Sequence, residues 1–301
     1  MTSPAIDPAT SPAPSPATST VTSAATSQAT GTASTALALT YLYAPGDRPE
    51  VVRKALASRA DVVIVDLEDA VAPDRRKYAL TATAELLTDP QPRPVHVRIN
   101  SPQDIATLTG LPGLAALRVP KVAHGTDIRR IAELAPGVPL HPLLESALAI
   151  EFAYEIATAH PAVRGISLGE ADLRADLGVR DGSSLDWPRT RVIIAARAAG
   201  LAPPPQSVFP DIRDLDALYA SCTHGRGLGF LGRAAIHPRQ LPVIERAFRP
   251  TPQEIEAAAE VVRAAATDGG ALALPDGRFV DAAIVAAARR TLALARRESP
   301  V

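Results

Sequence analysis

The sequence predicts an α/β protein, and within that class a (β/α)8 barrel followed by a C-terminal helical lid. From Leu37 onward, short apolar runs alternate with amphipathic helical stretches, which is the pattern of a parallel sheet built from strand-helix units. Eight such runs precede Phe248. Eight strands joined by eight crossovers favour a closed barrel over an open sheet.

The eight predicted strands are continuous apolar runs that end in turn or helix-start residues. They cover residues 38–45, 61–69, 94–100, 114–122, 138–146, 163–172, 206–212 and 232–238. Helix-start residues follow several of them, including Asp47 ahead of Pro49, then Asp74, and Ser101 with Pro102. The alternation of strand and helix therefore persists along the whole of the predicted barrel.

The two ends of the chain differ from the predicted barrel, which spans residues 37–248. Residues 1–36 are almost wholly Ala, Thr, Ser and Pro. They bury too little apolar surface to offset the entropy of ordering, so we expect a disordered tail. Residues 249–301 change pattern again and are expected to form a lid or an oligomerisation segment.

Local signals divide this C-terminal segment into two helices and a hairpin. Thr251 and Glu254 form a capping-box start for the first helix. Asp276 and Gly277 mark a hairpin-like turn, and the second helix begins at Asp281.

Composition limits the expected partners and location. The 301 residues carry a net charge of −1, which argues against nucleic acid or an anionic membrane as the main partner and leaves a small molecule. No run approaches transmembrane length and no signal-peptide pattern is present, so we expect a cytoplasmic protein. The single cysteine, Cys222, lies in a helical stretch far from any strand end and is predicted to be a buried structural thiol.

Polar residues stand at the carboxyl ends of several predicted strands, where barrel enzymes place their chemistry. They are Asp66, Glu68, Asp69, Arg98, Asn100, Lys121, Glu145, Glu170, Asp172 and His237. Glu145 and Asp172 end neighbouring runs with no Cys or His cluster nearby, which suggests a hard divalent cation such as Mg²⁺. The alternative is that both are solvated acids at the starts of loops.

Other strand-end residues have competing interpretations. Arg98 either binds an anion or forms a structural ion pair with an aspartate. Asp66 and Glu68 either take part in catalysis or orient arginines at the barrel mouth, and the second role is slightly favoured. Lys121 could form a Schiff base if burial lowered its pKa, a minor option beside the paired acids.

The motif G-x-G-x-x-G at Gly227, Gly229 and Gly232 does not indicate a dinucleotide site. It follows a predicted helix and precedes a strand, which is the reverse of the dinucleotide-binding order. These glycines are expected to end the helix and turn the chain into the last strand.

Several motifs occur in order along about residues 40–298. They are APGDRPE at 44–50, VDLEDAVAPDRR at 65–76, VRIN at 97–100, PK at 120–121, LLES at 143–146 and AAIHPRQLPVI at 234–244. Together they resemble the HpcH/HpaI aldolase and citrate lyase beta-chain family. The resemblance implies a TIM barrel with a C-terminal lid, usually trimeric, that uses Mg²⁺ to cleave or form a carbon-carbon bond in a 3-hydroxyacyl-CoA ester.

The same resemblance implies roles for individual residues. Glu145 and Asp172 are implied as metal ligands, and Arg98 and Glu145 as contacts to the substrate. Asp281 lies in a segment that resembles the family's lid, and the resemblance implies that it reaches the active site of a neighbouring subunit as an acid or base. A simple helix N-cap is the alternative for Asp281.

Two motifs depart from the family pattern. Residues 145–149 read E-S-A-L-A where the family usually reads E-T-A-[RK]-G, so Leu148 replaces a cation and Ala149 replaces a glycine. Residues 169–173 read G-E-A-D-L in place of G-A-E-D-L, which keeps Asp172 and moves the glutamate one place earlier. Both departures bear on the choice of substrate.

The function expected from this resemblance is a Mg²⁺-dependent lyase for citryl-, malyl- or citramalyl-CoA. Its products would be acetyl-CoA, or a related acyl-CoA or acid, and a 2-keto acid. An acyl-CoA thioesterase or a pyruvate aldolase on the same scaffold is one alternative, and a non-catalytic regulatory or assembly subunit is another. A homotrimer or hexamer is expected.

Overall fold

The computed structural model describes residues 37–267, 272–273 and 277–297. The predicted disordered tail, residues 1–36, lies outside this range, as does Asp276 of the predicted hairpin.

The described residues form one seven-stranded parallel sheet with helices between its strands. Its strands are β1 (Thr40–Pro45), β2 (Val62–Asp66), β3 (Val95–Arg98), β4 (Leu114–Val119), β5 (Leu140–Leu144), β6 (Ser167–Leu168) and β7 (Arg233–Ala235). Their order in the sheet is β6-β5-β4-β3-β2-β1-β7. The first six strands therefore run in chain order, and the last returns to pair with the first.

Helices cover one side of the sheet. They are α1 (Pro49–Leu56), α2 (Arg76–Leu87), α3 (Ile105–Leu108), α4 (Gly125–Leu134), α5 (Ala147–Glu151), α6 (Ala153–Thr158), α7 (Glu170–Leu177), α8 (Asp186–Ala198), α9 (Leu215–Leu228) and α10 (Leu241–Phe248). Ser101 and Pro102 mark a helix start as predicted, and Asp104 accepts the Ser101 backbone N–H ahead of α3. Among the residues that the structure describes, no helix is long and apolar enough to cross a membrane.

Successive side chains along each strand point to opposite faces of the sheet. One face packs against the helices, and the other faces an enclosed interior. Val63, Val65 and Leu117 belong to the apolar cluster under the helices. On the other side, Arg118 of β4 donates a hydrogen bond to the Ser167 hydroxyl of β6, 3.2 Å away, and so passes over β5. Such a contact between non-adjacent strands requires the sheet to curl around an interior.

The predicted count of eight strands is wrong for this sheet. Within 206–212 the structure has a single bridge, Gln206 paired with Arg233. The prolines at 203–205 and at Pro210 lack the N–H that a ladder needs, so no strand extends there. A side chain spans the remaining gap, because the Ser207 hydroxyl donates a hydrogen bond to a β6 carbonyl oxygen.

The C-terminal segment packs as its own small cluster. It consists of α11 (Pro252–Thr267), β8 (Leu272–Ala273), β9 (Phe279–Val280) and α12 (Ala282–Ala295), with β8 and β9 antiparallel. Its buried apolar residues are Ala258, Val261, Val280 and Ala288. Thr251 and Glu254 each accept a hydrogen bond from the other's backbone N–H, which confirms the predicted capping box.

Arg297 ties the end of α12 to the sheet. It forms ion pairs with Asp61, which precedes β2, and with Glu245 of α10, and it donates a hydrogen bond to the Leu37 carbonyl. Because Asp61 lies at the amino end of the strands, this tether is opposite the carboxyl ends where polar residues gather.

The glycines of the G-x-G-x-x-G motif have structural roles, as predicted. Gly229 ends α9 with φ of +111°. Gly232 has φ of +79°, and a Cβ there would lie 2.4 Å from the Leu39 carbonyl oxygen. Helix α9 precedes the motif and β7 follows it, which confirms that this is not a dinucleotide-binding turn.

We predict opposite stability effects for alanine at two of these glycines. Gly232→Ala should lower the free energy of unfolding by about 3 kcal/mol, because the new Cβ meets backbone atoms and a left-handed residue is strained. Gly227→Ala should raise it by about 0.5–1 kcal/mol, because Gly227 is exposed inside a helix with open space around it. Urea unfolding measures both, and equal effects would contradict this assignment.

Candidate active site

The carboxyl ends of the strands open into a cavity of about 700 Å³. The predicted site residues that line it are Asp66, Asp69, Arg98, Glu145, Glu170 and Asp172. Glu68 and Lys121 contact these residues from beside the cavity, whereas His237 lies apart and accepts the Arg239 N–H through Nδ1. The structure thus brings most of the strand-end residues to one place.

Arg98 is held in place by acids that follow β2. Its Nε and Nη2 donate to the two carboxylate oxygens of Asp66 at 2.7 and 2.6 Å, and its Nη1 lies 2.9 Å from Asp69 and 3.0 Å from Glu68. Burial opposes the charge of Arg98, but the hydrogen bond and charge of Asp66 raise its pKa above the ordinary value. Of the two interpretations of Arg98, the structure therefore shows the ion pair.

This clamp leaves Arg98 few donors for a ligand. A guanidinium has five N–H donors. The flat Nε and Nη2 side is occupied by Asp66, which in turn accepts the backbone N–H groups of Glu68 and Ala70. A bound anion would therefore meet the Nη N–H groups that do not face Asp66, and the side chain would already be oriented when the anion arrives.

Lys121 links two of the acids. Its Nζ lies 2.8 Å from Glu68, and its backbone N–H donates to Glu145 at 2.9 Å. A positive φ of 54°, unusual for a residue other than glycine, directs this N–H towards Glu145. Glu68 raises the pKa of Lys121, which is the opposite of what a Schiff-base lysine needs, so the structure does not favour that option.

Glu145 is a buried carboxylate that faces the cavity. It is 6% exposed and belongs to no ion pair within the described residues. Burial raises its pKa to about 7, although the Lys121 N–H opposes the shift, and the charges of Glu68 and Asp172 add to it. Gly169 packs against it so closely that a Cβ there would lie 2.4 Å from the Glu145 Cγ.

Asp172 completes the acidic pair from the first turn of α7. It is exposed, lines the cavity, and like Glu145 has no ion-pair partner among the described residues. In those residues no cluster of three or more His, Cys, Asp and Glu could hold a metal ion. Two carboxylates with room for water or ligand oxygens fit Mg²⁺, which keeps several waters and takes one or two carboxylates from the protein.

Sequence reasoning missed the partner of Glu170. Arg189 of α8 donates to both carboxylate oxygens of Glu170 at 2.6 and 2.9 Å and also pairs with Asp186. His224 of α9 lies 3.0 Å from Asp186 and extends the network. Glu170 is therefore already paired, which separates it from the unpaired Asp172 two residues later.

The two departures from the family pattern differ in position, because residues 169–172 line the cavity whereas Leu148 and Ala149 do not. Ala149 is fully buried in α5, and Leu148 is 47% exposed. Neither belongs to the residues that line the cavity.

Asp281 caps a helix in this chain. Its side chain accepts the Ile284 N–H at 2.9 Å at the start of α12, and it does not line the cavity. Cys222 is fully buried in α9 as predicted, and burial raises the pKa of its thiol.

Known proteins resemble this chain over the residues that form the sheet and the cavity. A model of the HpcH/HpaI aldolase/citrate lyase family matches residues 39–238. The chain belongs to this family. One relative is a (3S)-malyl-CoA thioesterase of Cereibacter sphaeroides, which is 37% identical to this chain over 268 residues. The match covers 84% of this chain and 93% of that protein.

Two further relatives indicate lyase chemistry and cofactors in the family. An L-malyl-CoA/beta-methylmalyl-CoA lyase of Cereibacter sphaeroides is 30% identical over 287 residues, 81% of this chain and 90% of that protein. The crystal structure of CitE from Mycobacterium tuberculosis in complex with magnesium, acetoacetate and coenzyme A superposes with a TM-score of 0.75. It is 31% identical and covers 87% of this chain and 99% of CitE.

We predict that Glu145→Gln stabilises the metal-free protein. At pH 8 with EDTA its free energy of unfolding should rise by about 1–3 kcal/mol, because an amide has no charge to desolvate or to repel Asp172. Calorimetry should show that Mg²⁺ binding is lost in the same variant. The exposed Glu151→Gln is the matched control and should change neither quantity; a destabilised, Mg²⁺-binding Glu145→Gln would contradict the site.

Proposed function

We propose that this protein is a Mg²⁺-dependent carbon-carbon lyase for a 3-hydroxyacyl-CoA ester that carries a carboxylate on the hydroxyl-bearing carbon. The observation that carries the proposal is the pair Glu145 and Asp172, two carboxylates that pair with no basic side chain among the described residues and face the same cavity as the clamped Arg98. Relatives named as malyl-CoA lyase and as CitE with magnesium and coenzyme A support it.

Each residue has a defined part in this reaction. Glu145 and Asp172 would hold Mg²⁺, which when bound supplies Lewis-acid polarisation of oxygen atoms. Arg98 would contact the substrate carboxylate through the Nη N–H groups that do not face Asp66, while Asp66, Glu68 and Asp69 keep the guanidinium from turning. In this arrangement Asp66 and Glu68 are positioning residues, the second of the two roles considered for them.

Cleavage requires one proton to leave the substrate and one to be taken up. The hydroxyl loses its proton as its carbon becomes the carbonyl of the 2-keto acid. The electron pair of the broken carbon-carbon bond passes to the carbon next to the thioester, and that carbon takes up a proton to give acetyl-CoA or a related acyl-CoA. Asp281 is not among the residues that line the cavity of its own chain, so we assign both proton transfers to Asp281 of a neighbouring copy. Its carboxylate would accept the hydroxyl proton as a base, and the carboxylic acid so formed would return a proton to that carbon.

The proposal also covers the closure of the barrel, the role of the C-terminal segment and the oligomeric state. We infer that the sheet and the Gln206 bridge form a (β/α)8 barrel over residues 37–248, and that 249–301 act as a lid in a homotrimer or hexamer. Three features support this: the separate apolar cluster of α11 and α12, the Arg297 tether, and the absence of Asp281 from the cavity lining. The cytoplasmic location stays a prediction.

Thioester hydrolysis is the second candidate, because the (3S)-malyl-CoA thioesterase is the relative with 37% identity. Product analysis separates the candidates. Purified protein with Mg²⁺ and malyl-, citramalyl- or citryl-CoA should release a 2-keto acid together with an acyl-CoA. Free CoA without keto acid would instead assign a thioesterase, and no turnover with Mg²⁺ bound would support a non-catalytic subunit.

We predict that Asp172→Ala abolishes keto-acid release and weakens Mg²⁺ binding at least 10-fold, because one of two protein ligands is lost. Asp181→Ala, an exposed aspartate away from the cavity lining, is the control and should retain both. Full activity in Asp172→Ala would refute its role as a metal ligand.

We predict that Asp281→Asn cuts turnover by roughly 100-fold or more with nearly unchanged stability, because Asn still caps a helix but cannot transfer the proton. Mixing Asp281→Asn subunits with Asp172→Ala subunits should restore part of the activity, since each copy would supply the group that the other lacks. No complementation despite verified subunit exchange would leave Asp281 as a cap.

A further inference from the structure

Arg118 is a buried arginine that the proposed reaction does not yet use. It lies on β4, is 2% exposed, and lines the same cavity as Arg98 and Glu145. Its Nη1 donates to the Ser167 hydroxyl at 3.2 Å, its guanidinium stacks 5.1 Å from the Tyr41 ring centroid, and its Nε has no partner. It forms no ion pair with any carboxylate among the described residues.

Arg98 and Arg118 lie side by side but differ in their ion pairing. They are paired in register on neighbouring strands, so their backbones are about 5 Å apart. Asp66 neutralises Arg98, whereas no carboxylate in the described part of the chain pairs with Arg118. A buried guanidinium without an anion is costly, because it stays protonated and keeps unused donors.

Among the described residues, the titratable side chains beside Arg118 do not supply the missing negative charge. Beside Arg118 in the sheet lie His141, its register partner on β5, and His96 on β3, whose ring centroids are 4.8 Å apart. Burial and the charge of Arg118 lower the pKa of His141 to about 3, and burial lowers that of His96, so both are neutral. Burial also raises the pKa values of the Tyr41 and Tyr43 phenols, which stay uncharged.

We infer that Arg118, with Ser167, binds a second carboxylate on the hydroxy-acid half of the substrate. The substrate would then yield a dicarboxylic 2-keto acid, one whose side chain ends in a carboxylate, in preference to a monocarboxylic one. This inference rests on the proposed function and narrows its substrate class. Arg118 would act as a specificity-determining residue, because a ligand without the second carboxylate leaves its donors unpaired.

The inference has a direct binding test that needs no turnover. Malate and lactate are both 2-hydroxy acids, and malate differs by a carboxylate in place of a hydrogen on the methyl group. In calorimetric titrations with Mg²⁺, the wild-type protein should bind malate about 10- to 100-fold more tightly than lactate, as a charge-assisted hydrogen bond implies. Equal affinities would overturn the inference and leave Arg118 as a partner of Tyr41.

Substitutions of Arg118 test whether this side chain causes the preference for malate. Arg118→Met should remove the preference for malate and leave lactate binding nearly unchanged, whereas Arg118→Lys should keep part of the preference because it keeps the charge. Arg164→Met, the same change at an exposed position outside the cavity lining, should keep all of it. If Arg118→Met does not fold, the comparison of the two ligands on wild-type protein and on Arg118→Lys still decides.

Turnover separates failure of this inference from failure of the proposed function. Keto-acid release from citramalyl-CoA at least as fast as from citryl-CoA, with equal binding of malate and lactate, would overturn the role of Arg118 and leave the lyase standing. No keto acid from any ester would overturn the lyase itself. A preference for citryl-CoA that Arg118→Met abolishes is the result expected.

Discussion

The rest of the site depends on the burial of the Glu145 carboxylate, which forms no ion pair within the part of the chain that the structure describes. Desolvation makes this charge costly, and Asp172 and Glu68 add repulsion, so the local chain is arranged around it. Gly169 leaves the space that a Cβ would fill, and the left-handed backbone of Lys121 directs an N–H towards the carboxylate. A bound cation would offset all of these costs at once, which gives the arrangement a physical reason.

The cavity is lined by both acidic and basic side chains that form no ion pair among the described residues. Among the described residues, Glu145 and Asp172 have no cationic ion-pair partner, and the more deeply buried Arg118 has no carboxylate partner. Arg98 lines the same cavity but is fixed by Asp66 and adds little net charge of its own. An anionic ligand that also chelates a divalent cation suits such a cavity. Its negative group would pair with Arg118, and the cation would pair with Glu145 and Asp172. The selectivity of the site would then come from charge placement on a rigid sheet.

Much of this could be predicted from the sequence, because parallel strands must end at a common edge and their last residues must meet there. That rule located Asp66, Arg98, Glu145 and Asp172 around one cavity. It could not show that prolines reduce 206–212 to a single bridge. Nor could it identify the inward side of β4, since the direction of Arg118 depends on strand register, which apolar runs buried on both sides do not fix.

Diffraction from crystals grown with Mn²⁺ tests the central claim most directly, because the anomalous signal of this ion reports position independently of activity. The account predicts one strong peak in the cavity, coordinated by carboxylate oxygens of Glu145 and Asp172, and its loss in Asp172→Ala crystals. A peak on the Glu170, Asp186 and His224 network with none between Glu145 and Asp172 would contradict it, and so would the absence of any peak at millimolar Mn²⁺.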